Sequence, residues 1–403
     1  MTAIETEWES LYQEYSLGNY GTPPLTLVKG QGTKIWDDQG KEYLDFVCGI
    51  AVTSIGHCHP IWVNRIQDQV GKLAHCSNLY RIPNQALLAK KLCLYAGPGK
   101  VFFCNSGAEA NEVLIKLARL YGQARSGKDG EQYKIIASEG AFHGRTFGGM
   151  SATPIEKVQG GFKPMLDGFD FGKFNDLDSF TSLIDEQTAA ILLEPIQGEE
   201  GINPCSQEFL RGIRKLCDDR GLLFLVDEVQ CGLGRTGDFY GFQHAGIQPD
   251  AIAMAKGLGG GFPIGAVWID NEHASLFKPG SHGCTFGGSP LACAASLAVL
   301  EVLERENLLN KIKKHSPKWI ASIKELKNRY PNLVSEVRGR GYMVGIAMRE
   351  DPTEIINKLR EAGLLTVPAS GNVIRLLPPY TVSEKELDQS ISILDSVISR
   401  HLQ

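Results

Sequence analysis

The chain of 403 residues exceeds the size at which a single hydrophobic core keeps growing, so one large and one smaller domain are expected. Hydrophobic residues make up 43% and charged residues 22%, as in ordinary globular enzymes, and a net charge of −5 leaves no electrostatic footprint for nucleic acid or an anionic membrane. Ten cysteines scattered among apolar runs form no framework of short spacings, and no apolar run approaches membrane-spanning length, so a soluble cytoplasmic protein with reduced thiols is expected.

The opening "MTAIETEWESLYQEYS" is acidic, without arginine or a long apolar core, and reads as neither a signal nor a transit peptide. "GHCHP" at 56–60 crowds two histidines and a cysteine with no second cluster, poor ligand geometry, so no metal is expected. Short apolar runs follow at "KVFFCNS" (100–106), "KIIASEG" (134–140), "AAILLEPIQ" (189–197), "LLFLVDEV" (222–229) and "DAIAMAK" (250–256). They are continuous rather than alternating, as in strands buried on both faces of a mostly parallel sheet. Between them, 107–124 sets Val113, Leu114, Leu117, Ala118 and Tyr121 at helical spacing. A second helix over 206–220 stripes Phe209, Leu210, Ile213, Leu216 and Cys217, with Ser206 as N-cap and Gly221 as stop. This predicts an open α/β domain whose ligands gather beyond the carboxyl ends of the strands.

Past about residue 300, amphipathic helices at 300–330, 352–362 and 383–402 alternate with strand candidates "YMVGIAM" and "NVIRLL", and Ser383 and Glu386 stand in capping-box spacing. Residues 305–403 are read as a smaller α+β domain joined by 1–55, leaving 56–304 as the large domain.

The strand ends carry the chemistry. In "NSGAEANE", Ser106, Gly107 and Ala108 sit where a strand becomes a helix, and a helix N-terminus offers unpaired N–H groups to an anion. A tight strand–helix turn would read the same way. "LLFLVDEVQ" places Asp227 and Glu228 at the end of an apolar strand, where an acid is costly unless it meets a cation or a donor. Lys256 closes a third strand before Gly257, Gly259, Gly260 and Gly261. Alone it reads as a surface lysine; three polar strand ends on one sheet edge argue for a single site. Two other nucleotide chemistries fail on context. "GQARSGKD" (122–129) imitates a P-loop, but Asp129 replaces the magnesium-binding Ser or Thr and the loop follows a helix. A nicotinamide-dependent oxidoreductase would need "GLGGGFPIG" in the first βα unit, whereas it lies late and behind a lysine.

Six motifs in register, "FFCNSGAEANE", "GAFHGRTFG", "EPIQGEEG", "VDEVQCGLGRTG", "AKGLGGGFPIGA" and "HGCTFGGSPLAC", resemble the class III, fold type I aminotransferases that use pyridoxal 5'-phosphate. "CGIAVTSIGHCHP" and "SNLYRIPNQALLAKKL" are most similar to the N-acetylornithine members. By that resemblance Lys256 bonds the cofactor and moves the reacting proton, and Asp227 faces the pyridine nitrogen. Gln230 reaches the phenolic oxygen, Phe142 stacks on the ring, and Ser106, Gly107 and Ala108 belong to the phosphate site. Thr285 completes that site from a neighbouring subunit, implying a homodimer with shared sites, and Cys284 lies near the substrate. Glu194 stands behind the site as a supporting acid. Arg145 clamps a substrate carboxylate; Arg375 takes the second carboxylate of glutamate or 2-oxoglutarate, and Glu199 neutralises Arg375 when an amine donor is bound. The implied reaction is transamination of N2-acetylornithine with 2-oxoglutarate in arginine biosynthesis. Enzymes for succinylornithine, succinyl-diaminopimelate, ornithine and 4-aminobutyrate share these motifs. Ile50, in the place of a tyrosine of the ornithine enzymes, offers no hydrogen bond to a free α-ammonium and so points to an acylated donor.

Overall fold

The computed structural model describes residues 3–401, with side chains from Trp8 onward; residue 402, the last position of the expected final helix, lies outside the described residues. All five apolar runs become strands of one seven-stranded sheet. Its order is Gly99–Cys104, Gly265–Asp270, Ala251–Met254, Leu223–Asp227, Thr188–Leu193, Lys134–Ser138, Phe169–Gly172. Neighbours pair in parallel except around Gly265–Asp270, which runs against both of its partners. That strand and Phe169–Gly172 are the two the sequence reading missed. One is short, and the other begins inside the glycine-rich motif.

The continuous apolar runs have a direct cause. Along Thr188–Leu193 and Leu223–Asp227, Ile191, Leu193, Phe224 and Val226 pack into one core, while Ala190, Leu192, Leu223 and Leu225 pack into another. The strand period of two therefore feeds both faces, and each fully buried Leu, Ile or Val contributes roughly 1.5–3 kcal/mol. Helix Gly107–Ser126 covers one face through Val113, Leu114, Leu117 and Ala118; helix Gln207–Arg220 covers the other through Phe209, Leu210, Ile213 and Cys217. Ser206 caps the second helix by accepting the Phe209 N–H, and Gly221 ends it at φ 63°, as expected.

The expected 300–330 helix is two helices, Pro290–Arg305 and Leu308–Arg329, because Asn307 adopts φ 51° between them. A four-stranded antiparallel sheet follows, ordered Val334–Arg340, Met343–Met348, Val373–Leu376, Val367–Ala369. The Ser383–Glu386 capping box forms, each backbone N–H meeting the other side chain at 3.3 Å or less. N-terminal strands Leu27–Gln31, Lys34–Asp37 and Glu42–Asp45 form a third sheet, whose last member is Leu364–Leu365. The two chain ends thus share a sheet. Among the described residues no helix is long and apolar enough to cross a membrane.

Candidate active site

Strands Gly99–Cys104, Ala251–Met254 and Leu223–Asp227 run the same way, so their carboxyl ends meet at one sheet edge. Gly265 starts the antiparallel strand between two of them. A Cβ there would lie 2.4 Å from the Ser106 carbonyl oxygen, so only glycine lets the chain pass. At this edge opens a cavity of about 610 Å³. A wider cleft of about 930 Å³, between helix Ala3–Tyr15, the loop leading to Leu27 and the turn Asp37–Gln39, holds no lysine and none of these three strand ends. The chemistry lies in the smaller one.

Ser106, Gly107 and Ala108 line the cavity at the N-terminus of the 20-residue helix, with Ser106 capping it by accepting the Glu109 N–H at 3.2 Å. A Cβ on Gly107 would come within 2.6 Å of Val229, so this turn also requires glycine. Lys256 lines the cavity at φ 42°, a conformation that costs a non-glycine residue on the order of 1–3 kcal/mol and marks a constrained site. Burial lowers its pKa and the Arg375 charge adds to this, against the opposing pull of Glu199.

Asp227 accepts three hydrogen bonds: Oδ1 from the Val229 N–H at 2.9 Å, Oδ2 from Asn111 Nδ2 at 2.7 Å and from His143 Nδ1 at 2.8 Å. Burial disfavours charge on His143, but Asp227 and then Glu194 outweigh it and raise the imidazole pKa. Glu194 accepts the Phe142 N–H at 2.8 Å, and burial pushes its pKa up to about 7 against the pull of His143. Glu228, beside Asp227, points away. It accepts the Gly241 and Phe242 N–H groups at 2.8 and 2.9 Å and anchors that loop, with burial raising its pKa to about 7.

Phe142, Arg145, Glu199 and Gln230 also line the cavity. Arg145 lies over the Phe142 ring at 5.7 Å. Arg375 stands behind the wall rather than in it. Its Nη1 donates to Glu199 Oε1 at 2.7 Å, Gln230 Oε1 at 3.1 Å and the Gly198 carbonyl at 3.2 Å, and only 1% of the residue is exposed. Despite its burial, Glu199 has a lowered pKa because of this ion pair. Cys284 and Thr285 do not line this cavity. Cys284 Sγ meets Asn105 Nδ2 at 3.1 Å, and Thr285 is exposed. Ile50 is 36% exposed and outside the lining, whereas Val52 is part of it.

Residues of the site that went unread in the sequence include His143, Asn111, Tyr20 and Val52. His143 and Asn111 stand within quoted motifs, and their polarity among apolar neighbours was the available signal. Tyr20 and Val52 had none. The histidines of "GHCHP" are engaged by acids, His57 by Asp45 at 2.7 Å and His59 by Glu306 at 2.9 Å.

Comparison with known proteins agrees with this geometry. The family model "Aminotransferase class-III" matches residues 15–398. The chain is 47% identical to acetylornithine aminotransferase of Caldanaerobacter subterraneus subsp. tengcongensis, over 96% of this chain and 98% of that protein. It is 44% identical to the enzyme of the same name from Methanocaldococcus jannaschii, over 98% of each. Among solved structures, ornithine aminotransferase from Toxoplasma gondii superposes with a TM-score of 0.95 at 30% identity, covering 100% of this chain and 96% of that one. Family match, full-length kinship and the lysine, aspartate and helix N-terminus meeting at one sheet edge lead to one conclusion: the chain belongs to the class III aminotransferases.

Proposed function

We propose that this chain catalyses pyridoxal 5'-phosphate-dependent transamination of N2-acetylornithine with 2-oxoglutarate, giving N-acetylglutamate 5-semialdehyde and glutamate, as a soluble cytoplasmic homodimer serving arginine biosynthesis. The observation that carries it is the meeting of Lys256, Asp227 and the N-terminus of helix Gly107–Ser126 in one cavity. These groups suit the cofactor: an amine for its aldehyde, a carboxylate for its ring nitrogen, backbone N–H groups for its phosphate, and Phe142 for its ring face. Gln230 suits the phenolic oxygen. When bound, pyridoxal phosphate supplies the electron sink for the carbon bearing the reacting amine.

The remaining work falls to side chains. Lys256 Nζ, its pKa lowered by burial, takes and returns the reacting proton. Asp227 is fixed by Asn111 and the Val229 N–H, and His143, whose pKa its contact with Asp227 raises, braces it from behind, so its carboxylate would hold a proton on the cofactor's ring nitrogen. Arg145 receives a substrate carboxylate with its planar fork. Glu199 keeps Arg375 neutralised while the amine donor is bound and releases it to glutamate or 2-oxoglutarate. Thr285, exposed and outside this cavity, serves the phosphate site of a second copy, with Cys284 beside the substrate there. Residues 56–304 form the large domain, and 1–55 with 305–403 the small one; the shared N- and C-terminal sheet supports this division.

The apolar Val52 in the cavity wall favours an acylated donor, because a free α-ammonium would be desolvated there without a partner; Ile50, outside the lining, does not carry this preference. The 44–47% identity to acetylornithine aminotransferases, against 30% to the ornithine enzyme, supports the same choice. Measuring kcat/KM for N-acetylornithine, N-succinylornithine, ornithine and 4-aminobutyrate with 2-oxoglutarate tests it. Strong preference for the acylated donors is expected; free ornithine or 4-aminobutyrate as the best donor would refute the proposal.

A further inference from the structure

Between strand Glu42–Asp45 and His57 the backbone does something a sequence of this kind rarely does. Cys48, Gly49, Ile50 and Ala51 adopt φ of 51°, 62°, 63° and 65° in succession, a complete left-handed turn in which only one residue is glycine. L-residues resist this conformation, and β-branched isoleucine resists it most. The turn is therefore held by its surroundings.

Its entry is held by Asp45. Oδ1 accepts the N–H groups of Val47 and Cys48, both at 2.9 Å, while Oδ2 meets His57 Nε2 at 2.7 Å. His57 is itself fixed. Its backbone bridges Gly32 in both directions at 2.8 Å, and its ring lies so close to Gly30 that a Cβ there would come within 2.6 Å. The exit is held separately: Ser54 Oγ donates to the Gly257 carbonyl at 3.1 Å and Ser54 O accepts the Tyr380 N–H at 2.7 Å. Between these anchors the turn packs on Lys256–Leu258 and delivers Val52 into the cavity wall.

We propose that Asp45 and His57 are positioning residues for substrate selection: they hold the left-handed turn Cys48–Ala51 under strain, so that Val52 forms a fixed apolar wall against the acyl end of the amine donor. Neither residue touches the reacting atoms. The proposal rests on the transaminase reading above. Because Ser54 is anchored independently to Gly257, loss of Asp45 loosens the wall and leaves the Lys256 turn in place. The 2-oxoglutarate half-reaction, held by arginines, is spared.

The test uses Asp45→Ala in the full-length holoenzyme. Its KM for N-acetylornithine rises at least tenfold and its preference for N-acetylornithine over ornithine falls by a similar factor, while KM for 2-oxoglutarate stays within about twofold. Ala51→Gly lifts the conformational penalty at one turn residue while removing a single methyl. Added to Asp45→Ala it restores the donor KM to within about threefold of the parent, a rescue that general destabilisation would not show. If Asp45→Ala does not fold, His57→Ala, which removes the partner that fixes the Asp45 carboxylate, carries the same criteria. An unchanged donor KM, equal loss for both substrates, or no rescue overturns the inference. Absence of transamination by the unmodified enzyme overturns the underlying reading instead.

Discussion

Replacing Arg375 by alanine separates the two half-reactions, and the structure sets the size of the effect. Its guanidinium is 1% exposed, with Glu199 at 2.7 Å and two further acceptors within 3.2 Å. In the proposed switch a substrate carboxylate takes the place of Glu199 in the glutamate half-reaction. Removing that desolvated, charge-assisted partner costs about 2–4 kcal/mol, or roughly 30- to 700-fold in kcat/KM for glutamate and 2-oxoglutarate. The amine donor brings no second carboxylate to this position, so its half-reaction loses less than about tenfold, mostly through the unpaired Glu199 left behind. Glu199→Ala acts in the opposite sense. It frees Arg375 permanently, lowers KM for glutamate and impairs the donor. Single-turnover kinetics of each half-reaction, followed by the absorbance of the bound cofactor, measure both variants. Equal losses in the two half-reactions for both variants would refute the switch.

Lys256→Ala abolishes turnover and the visible absorbance of the covalently held cofactor; appreciable transaminase activity in that variant would remove Lys256 from its role. Asp227→Asn lowers kcat on the order of 10²-fold or more while shifting the thermal midpoint by only a few degrees, since the amide keeps the shape of the carboxylate but not its charge; activity within a few-fold of the parent counts against the proposed ring-nitrogen contact. Glu194→Gln carries a pH signature in the cofactor-free protein. Burial holds the folded pKa of Glu194 at about 7 against an ordinary value of 4.5, so the unfolded chain ionises first and the folded state loses stability as pH rises from about 4.5 to about 7. Relative to the parent, the variant therefore gains on the order of 2 kcal/mol between pH 5 and pH 8, read by urea unfolding; a pH-independent difference contradicts the buried carboxylate.

The parts legible in the sequence were those written locally. Five strands announced themselves because burial on both faces leaves no polar alternation, and the cap and stop of helix Gln207–Arg220 lie within one turn of its ends. Lys256 and Asp227 stood out as polar strand ends against apolar runs. The unread parts depend on partners distant in the chain. His143 and Asn111 serve Asp227 across 84 and 116 residues, and Asn307 breaks a helix by adopting a conformation its neighbours do not encode. Strand Gly265–Asp270 was hidden because its first residue is glycine for a reason supplied by Ser106, more than 150 residues away.

The site also shows why its strained residues fall where they do. Lys256 and the Cys48–Ala51 turn adopt left-handed backbone in contact with one another, and each is restrained by elements that could not relax without breaking a buried contact. Gly257 is bonded by Ser54, Ser54 by the backbone of Tyr380, and the Tyr380 ring lies under the buried Arg235 guanidinium at 4.6 Å. Arg235 in turn donates to the Tyr342 carbonyl, joining the loop beyond Asp227 to the sheet that carries Arg375. One chain of packed groups thus fixes the lysine, the aspartate strand and the arginine switch relative to each other. In the proposed switch, a rigid frame of this kind would let the substrate exchange its carboxylate for that of Glu199 without moving the reacting centre. One cavity could then take the two proposed donors of different charge in turn.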